Sequence, residues 1–196
     1  MEADVKRSLT RARIAVIILF AVNGILGAAW IGRLVDIQQA AAIDDATLGV
    51  VLSVAAAGAL AFGLLAGWLA ARIGSGRAAV LACLLFAPAI ALIGLDTSGA
   101  ILAITLFWIA GMDGLMDAAM NAHGVRVQKA YGRSMLNSFH GWWSLGTVAG
   151  AGMAALSAAL DLGLAAYLLI VGITCAVAVL IVARWLLPAP DPDTHL

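Results

Sequence analysis

The chain has 196 residues, 64% of them hydrophobic and 11% charged, with zero net charge at pH 7 and a mean hydropathy of +1.05. A soluble domain carries about 25% charged and about 45–50% apolar residues, so this composition excludes an ordinary water-soluble domain and points to a lipid bilayer. The neutral balance and the scattered basic residues also exclude a nucleic-acid surface.

A membrane-spanning helix needs about 20 apolar residues to cross roughly 30 Å of hydrocarbon. Six segments approach or meet that length. The first, residues 14–32, carries no charge and follows Lys6, Arg7, Arg11 and Arg13. A signal peptide begins in the same way, but this apolar run is long and five more follow without a clear cleavage site, so it reads as a first transmembrane helix. The second, residues 47–71, is again uncharged, and the third, 78–95, holds Pro88, where a kink is expected. The fourth, 99–121, holds Asp113 and Asp117; the fifth is 138–160 and the sixth 162–183. Residues 1–187 are thus expected to form one all-α, polytopic bundle. The proline-rich end, 188–196, reads as a polar tail or the start of a linker.

Six spans place Lys6, Arg7, Arg11, Arg13, Arg72, Arg77, Arg126, Lys129, Arg133 and Arg184 on one side of the bilayer. Only Arg33 falls on the other, with Asp36, Asp44, Asp45, Asp96 and Asp161. The positive-inside rule then puts both termini in the cytoplasm. "FAVNGILG" (Phe20 to Gly27) and "FWIAGMDG" (Phe107 to Gly114) share Phe, Gly and Gly at one spacing. This makes the first and fourth spans equivalent members of two inverted three-helix units, a 3+3 arrangement found in secondary transporters. Gly63 and Gly67, and Gly146 and Gly150, stand four apart, a spacing at which helix backbones approach closely.

The fourth span carries "GMDGLMDAAMN". Asp113, Asp117 and Asn121 recur every four residues and so share one helix face. An ionised carboxylate near the bilayer centre costs about 2.5–3.5 kcal/mol on insertion scales, so this stripe is expected to face protein or a water-filled cavity. Asp117 and Asp113 are the candidate proton-coupling groups, the competing role being structural hydrogen bonding. Matching stripes lie on the first span (Asn23, Gly27, Trp30) and on the fifth (His140, Trp143, Thr147). Asn23, Trp30, Asn121, His140, Trp143 and Thr147 are therefore the candidate substrate-cavity residues. Cys83 and Cys175 read as small packing residues, and three isolated histidines make no metal site, so no cofactor or metal is expected.

The stretches "VNGILGAAWIGRLVDIQ", "DAAMNAHGV" and "SFHGWWSLGTVAGAG" carry a resemblance. The chain resembles the amino-terminal half of a major facilitator superfamily transporter, in the MosC- and YbjJ-like branch related to fucose permeases. The resemblance implies two six-helix bundles around a central cavity, with alternating access. It implies that Asp117 and Asn121 of "DAAMNA" stand at the acidic and amide positions of the relatives' proton-coupling motif "ETAANP"; Asp113 has no counterpart there. The superfamily's gating loop is matched in "GWLAARIGSGR" by Gly67, Leu69, Ala70, Arg72 and Gly74, with Arg77 closing it, but Ala71 replaces the family's Asp. Val35 stands where the branch has Pro, and six helices stand where the superfamily has twelve.

The expected function is transmembrane transport of a small polar, sugar-like solute, proton-coupled, as half of such a transporter. The alternative is a truncated or accessory six-helix membrane protein without transport of its own. An enzyme is not expected, because both intramembrane aspartates lie on one helix and no Gly-x-Ser-Gly nucleophile pattern occurs. The expected partners are the lipid bilayer, the solute and a second six-helix bundle: a missing carboxy-terminal half, a separate chain or a second copy.

Overall fold

The structure, a computed structural model, describes residues 2–95 and 98–189. Asp96 and residues 190–196, including His195 and most of the expected tail, lie outside the described residues.

Among the described residues the chain is all-helical, with seven α-helices and no strand. They are α1 (Glu2–Ile31), α2 (Leu34–Ala40), α3 (Asp45–Ile73), α4 (Ser75–Ala89), α5 (Gly99–Tyr131), α6 (Leu136–Ala159) and α7 (Leu164–Ala183). Five have the length and apolarity to cross a bilayer: α1, α3, α4 with its continuation, α5 and α7. The expected fifth span, residues 138–160, is helical, as α6, but is not among them. Asn137, Ser138, His140, Ser144, Thr147 and four glycines dilute its apolarity. The chain is a multi-pass membrane protein. Exposed Leu64, Ile104, Val148, Ile173 and Leu180 give it an apolar outer surface that water would not tolerate.

The helix ends follow from local chemistry. Asp44 caps α3 by accepting the Thr47 backbone N–H at 2.8 Å, and that hydrogen bonding holds its carboxyl below the usual carboxylate range. Gly74 alone joins α3 to α4, at a φ of +89° that favours glycine. Pro88 lacks an N–H, and two residues beyond it the chain tightens into a 3-10 helix, Ile90–Gly94. Helix α5 does not stop near 121. It runs ten residues further, to Tyr131, and ends at Gly132 in the left-handed conformation. The short α2 occupies what reads in sequence as a loop.

The helices pair as α1 with α6, α3 with α5 and α4 with α7; α1 also touches α7, and α4 touches α5. Glycines set the two closest pairs. A Cβ at Gly146 would collide with the Ala21 backbone and one at Gly150 with Ile25; one at Gly58 would collide with Phe107 and one at Gly114 with Ala59. Of the expected close pair Gly63 and Gly67, Gly63 makes only ordinary contact with Gly114, and Gly67 meets nothing. Phe20, Phe86 and Phe139 fill the core.

The six long helices alternate in direction, and cross-links fix which ends meet. At one end Thr10 lies 3.5 Å from Tyr131, and the start of α1 shares a groove with Arg184 and Trp185 just past α7. At the other end Arg33, buried, donates to Ser157 Oγ at 2.7 Å and to Leu162 O at 3.5 Å, and pairs with Asp36. The chain thus leaves the bundle at the end where it enters, and the ten basic residues named above collect there.

Candidate functional site

Three helices meet at a polar chain near the middle of the bundle. Asp113 comes from α5, Asn23 from α1 and Trp143 from α6. Asn23 Nδ2 donates to Asp113 Oδ1 at 2.7 Å, and the Trp143 indole N–H donates to Asn23 Oδ1 at 2.9 Å. The two bonds use the donor and acceptor ends of one amide, so its orientation is fixed by the network. Asn23 is 4% exposed. In so apolar a setting an unmatched amide is costly, and its two partners explain why it is tolerated there.

The polar chain borders an open groove of about 340 Å³, lined by Asn23, Gly24, Gly27, Asp113, Trp143 and Thr147 among others. Gly24 packs against α6, where a Cβ would meet the Thr147 amide nitrogen at 2.9 Å, whereas Gly27 faces open space. One glycine therefore draws the helices together and the other leaves room. Helical phase brings these residues together: 23, 24 and 27 lie on one side of α1, and 143 and 147 on one side of α6.

The second carboxylate has different surroundings. Asp117 lies one turn along α5, about 6 Å further at ~1.5 Å per residue, and is exposed. Its Oδ1 accepts from Asn121 Nδ2 at 3.2 Å, and the same nitrogen donates to the Asp117 backbone oxygen at 2.9 Å. His140 is close enough to interact with Asp117 electrostatically, and its ring meets Phe20 edge-on at 5.2 Å. Asp113 thus accepts its hydrogen bond from another helix, while Asp117 accepts one from its own.

Not every expected cavity residue lines the groove. Trp30 lies off it, 9% exposed and packed in the core. The groove follows Gly24, Gly27, Ala28 and Ile31 along α1, which leaves the bulky indole on the flank, against neighbouring helices. Asn121 and His140 lie beyond the groove, on the Asp117 side.

The expected gating residues spread over three settings. Gly67 is mid-helix in α3, Gly74 is the turn itself, and Arg77 opens α4. The Arg72 guanidinium sits 4.7 Å over the Trp68 ring. Sequence reasoning missed what holds this turn. Ser75 Oγ lies 3.0 Å from Nδ1 of the buried His123 on α5, and His123 Nε2 accepts the Leu187 N–H at 3.2 Å. Nε2 being the acceptor, Nδ1 carries the proton and donates to Ser75. Nothing in the spacing of Ser75, His123 and Leu187 announces this. Among the described residues no group of His, Cys, Asp and Glu could hold a metal ion.

Chemically, the site offers a carboxylate fixed by an amide, an indole face, a hydroxyl and glycine-lined space. Such a set can bind a hydroxyl-bearing solute or exchange a proton at a carboxylate. No family model matches the chain. It is similar to an uncharacterized transporter, y4wD, of Sinorhizobium fredii: 36% identity over 132 residues, 67% of this chain and 35% of the relative. It is similar to the membrane protein MosC of Rhizobium meliloti: 33% over 177 residues, 89% of this chain and 41% of the relative. An uncharacterized MFS-type transporter of Yersinia pestis is 34% identical over 145 residues, 74% of this chain and 37% of the relative. The chain therefore spans about two fifths of the length of the curated relatives it matches.

Proposed function

This chain is a half-length unit of the major facilitator (MFS) transporter kind, and from that premise we propose that it forms one side of an alternating-access pathway for a small polar, sugar-like solute, driven by protons. The observation that carries the reading is the Trp143–Asn23–Asp113 chain opening into a groove. A purely structural network has no need of adjoining space. The groove is open, and Asp117 and His140 are exposed beyond it. A second six-helix bundle supplies the facing wall, whether from the same polypeptide, a separate chain or a second copy. The role is transport rather than chemical conversion.

Six membrane crossings in a 3+3 order belong to this reading. Exchanging the two three-helix units turns the α1–α6 pair into α5–α3, and α1–α7 into α5–α4, while α4–α7 maps onto itself; all these pairs occur. At about 1.5 Å per residue, the 24 residues of α6 reach about 36 Å, enough to cross despite their modest apolarity. A crossing by α6 also agrees with the chain ends meeting at one end of the bundle. The basic cluster there supports a cytoplasmic position for that end by the positive-inside rule, and a bacterial-type inner membrane belongs to the same reading.

Uptake into proteoliposomes under an imposed pH gradient, with a panel of sugars, tests the proposal. Gradient-dependent accumulation of at least one solute is expected, and Asp117→Asn abolishes accumulation while leaving solute exchange. Uptake indifferent to both gradient and substitution removes the proton-coupling assignment.

A further inference from the structure

We propose a second, separate site: a pocket for the headgroup of an anionic phospholipid, at the end of the bundle where both described chain ends lie. The pocket holds about 450 Å³ between the start of α4 and the segment just past α7. Arg77, Leu81 and Leu84 face it from α4, and Arg184, Leu186 and Pro188 from the other side. Two guanidiniums, one from α4 and one just past α7, thus border one space. Among the described residues neither has a hydrogen-bond or ion-pair partner. Next to it, Arg7, Arg11 and Arg184 line a groove in which Asp4 is the acidic residue, so the local balance stays positive.

The remaining walls decide what kind of anion fits. They are apolar, as a free phosphate site would not require. Leu81 is also a wall of a second groove, of about 210 Å³, between α3, α4 and α5, lined by Phe62, Leu65, Leu85, Trp108 and Met112 among others. Several of these side chains are exposed on the outer surface of the bundle. A phosphate held by Arg77 and Arg184 therefore leads, past Leu81, into an apolar track for an acyl chain. Basic pockets between helix ends at a membrane surface suit acidic headgroups, and arginine matches phosphate geometry with paired donors.

The protein itself holds the outer wall in place. Leu187 donates its backbone N–H to His123 Nε2 at 3.2 Å, and Arg126 Nη2 donates to Pro188 O at 2.8 Å. The segment that closes the pocket is thus tied to α5 rather than left to the lipid to order.

The test titrates purified protein in a zwitterionic background with dioleoylphosphatidylglycerol, reading bound lipid by native mass spectrometry and Tm by thermal melting. Phosphatidylcholine and inorganic phosphate are the parallel arms. Saturable phosphatidylglycerol binding with a raised Tm is expected, with neither comparison arm reproducing it. Arg77→Gln with Arg184→Gln weakens binding on the order of thirtyfold, as expected for two membrane-proximal cations, while Arg77→Lys with Arg184→Lys retains the preference. Arg7→Gln with Arg11→Gln, at the same end but outside the pocket, weakens binding by a clearly smaller factor. Equal binding of phosphatidylcholine, protection by phosphate alone, or loss of the preference in the Lys pair overturns the site. So does an Arg7/Arg11 effect as large as that of the Arg77/Arg184 pair. Should the Gln pair fail to fold, the Lys pair and the Arg7/Arg11 pair still decide.

Discussion

Asn23 holds Asp113 across the α1–α5 contact at 2.7 Å, and Trp143 of α6 holds Asn23 at 2.9 Å. The position of a carboxylate on one helix is thereby set by two others. Any movement of α1 or α6 against α5 must break or carry this chain, which links helix packing directly to the proposed pathway.

Removing the middle member should therefore cost most. Asn23→Leu leaves the Asp113 carboxylate without its partner, worth about 1–3 kcal/mol, and also the indole N–H of Trp143, which costs less because Trp143 is exposed. Trp143→Phe removes one bond and leaves the other, a change of about 0.5–1.5 kcal/mol. Thermal melting in detergent should rank Asn23→Leu well below Trp143→Phe, and uptake should follow the same order. Equal Tm values for the two variants would show that the hydrogen bonds seen here carry no coupling between the helices.

The two carboxylates should separate on substitution. Asp113→Asn keeps an oxygen that can accept from Asn23 Nδ2, so folding is retained and the groove keeps its shape. Asp117→Asn keeps the oxygen facing Asn121 and loses the electrostatic contact with His140. If Asp117 alone carries the coupling, Asp113→Asn shifts the KM for solute more than the gradient dependence, and Asp117→Asn does the reverse. Uptake measured against solute concentration at two imposed gradients distinguishes these outcomes.

Glycines make the sharpest contrast between positions that look alike in sequence. Gly146→Val and Gly58→Val force a side chain into the backbone of the facing helix. Overpacking costs typically about 1–3 kcal/mol, and backbone collisions lie at the top of that range or beyond. Gly27→Ala and Gly67→Ala meet nothing within 4 Å. The open sites should keep their Tm within a degree or two and gain slightly in helix propensity, while the packed ones lose several degrees.

That contrast shows how much the sequence could say. Apolar runs of about 20 residues locate helices well, because length and hydropathy are local properties. Four-residue glycine spacing marks helix faces, but which face meets a neighbour depends on helices far along the chain; hence Gly146 and Gly150 pack tightly while Gly67 does not. The same holds at the site. Periodicity puts Asn23 and Asp113 on polar stripes, yet their pairing across 90 residues needs the helix order in space. Trp30 shares the Asn23 stripe by count, but its bulk is accommodated on the flank rather than in the groove. The extension of α5 to Tyr131 was hidden because polar residues beyond a membrane span read as loop even when they continue a helix. Ser75, His123 and Arg33 were hidden for another reason: each is a lone polar residue whose partners come from distant segments.

Arg33 is the buried cation at the end of the bundle opposite the chain termini, 8% exposed. Its guanidinium joins α1 and α2 to α6 and α7 through Ser157, Leu162 and the Tyr167 ring, whose centroid lies at 5.9 Å. Ser157→Ala removes a hydrogen bond to a charged group, worth about 1.5–3 kcal/mol. Asp36→Asn should cost less, since Asp36 is 45% exposed in side chain and water screens that pair. Arg33→Met should fall between them, because it removes the charge along with its bonds and leaves a side chain of similar length in an apolar site. Melting temperatures of the three variants check the order; Asp36→Asn as the most damaging would contradict it.

His123 ties the segment past α7 to the turn between α3 and α4. Leu187 donates to its Nε2, and its Nδ1 proton goes to Ser75. His123→Leu preserves apolar volume but removes both bonds, releasing the segment on one side and the turn on the other. Ser75→Ala removes the bond to His123 on the turn side and leaves the Leu187 bond in place. The distinguishing readout is limited trypsin digestion at Arg184, which needs the segment to open locally. Loss of the Leu187 bond, at about 0.5–1.5 kcal/mol, should speed this cleavage about two- to tenfold in His123→Leu, and Ser75→Ala should leave it near the unsubstituted rate. Equal acceleration by both would mean that the turn, rather than the imidazole contact with Leu187, holds the segment in place. No acceleration in His123→Leu would leave the Arg126 bond to Pro188 as the main tie, and Arg126→Gln should then reproduce the expected increase.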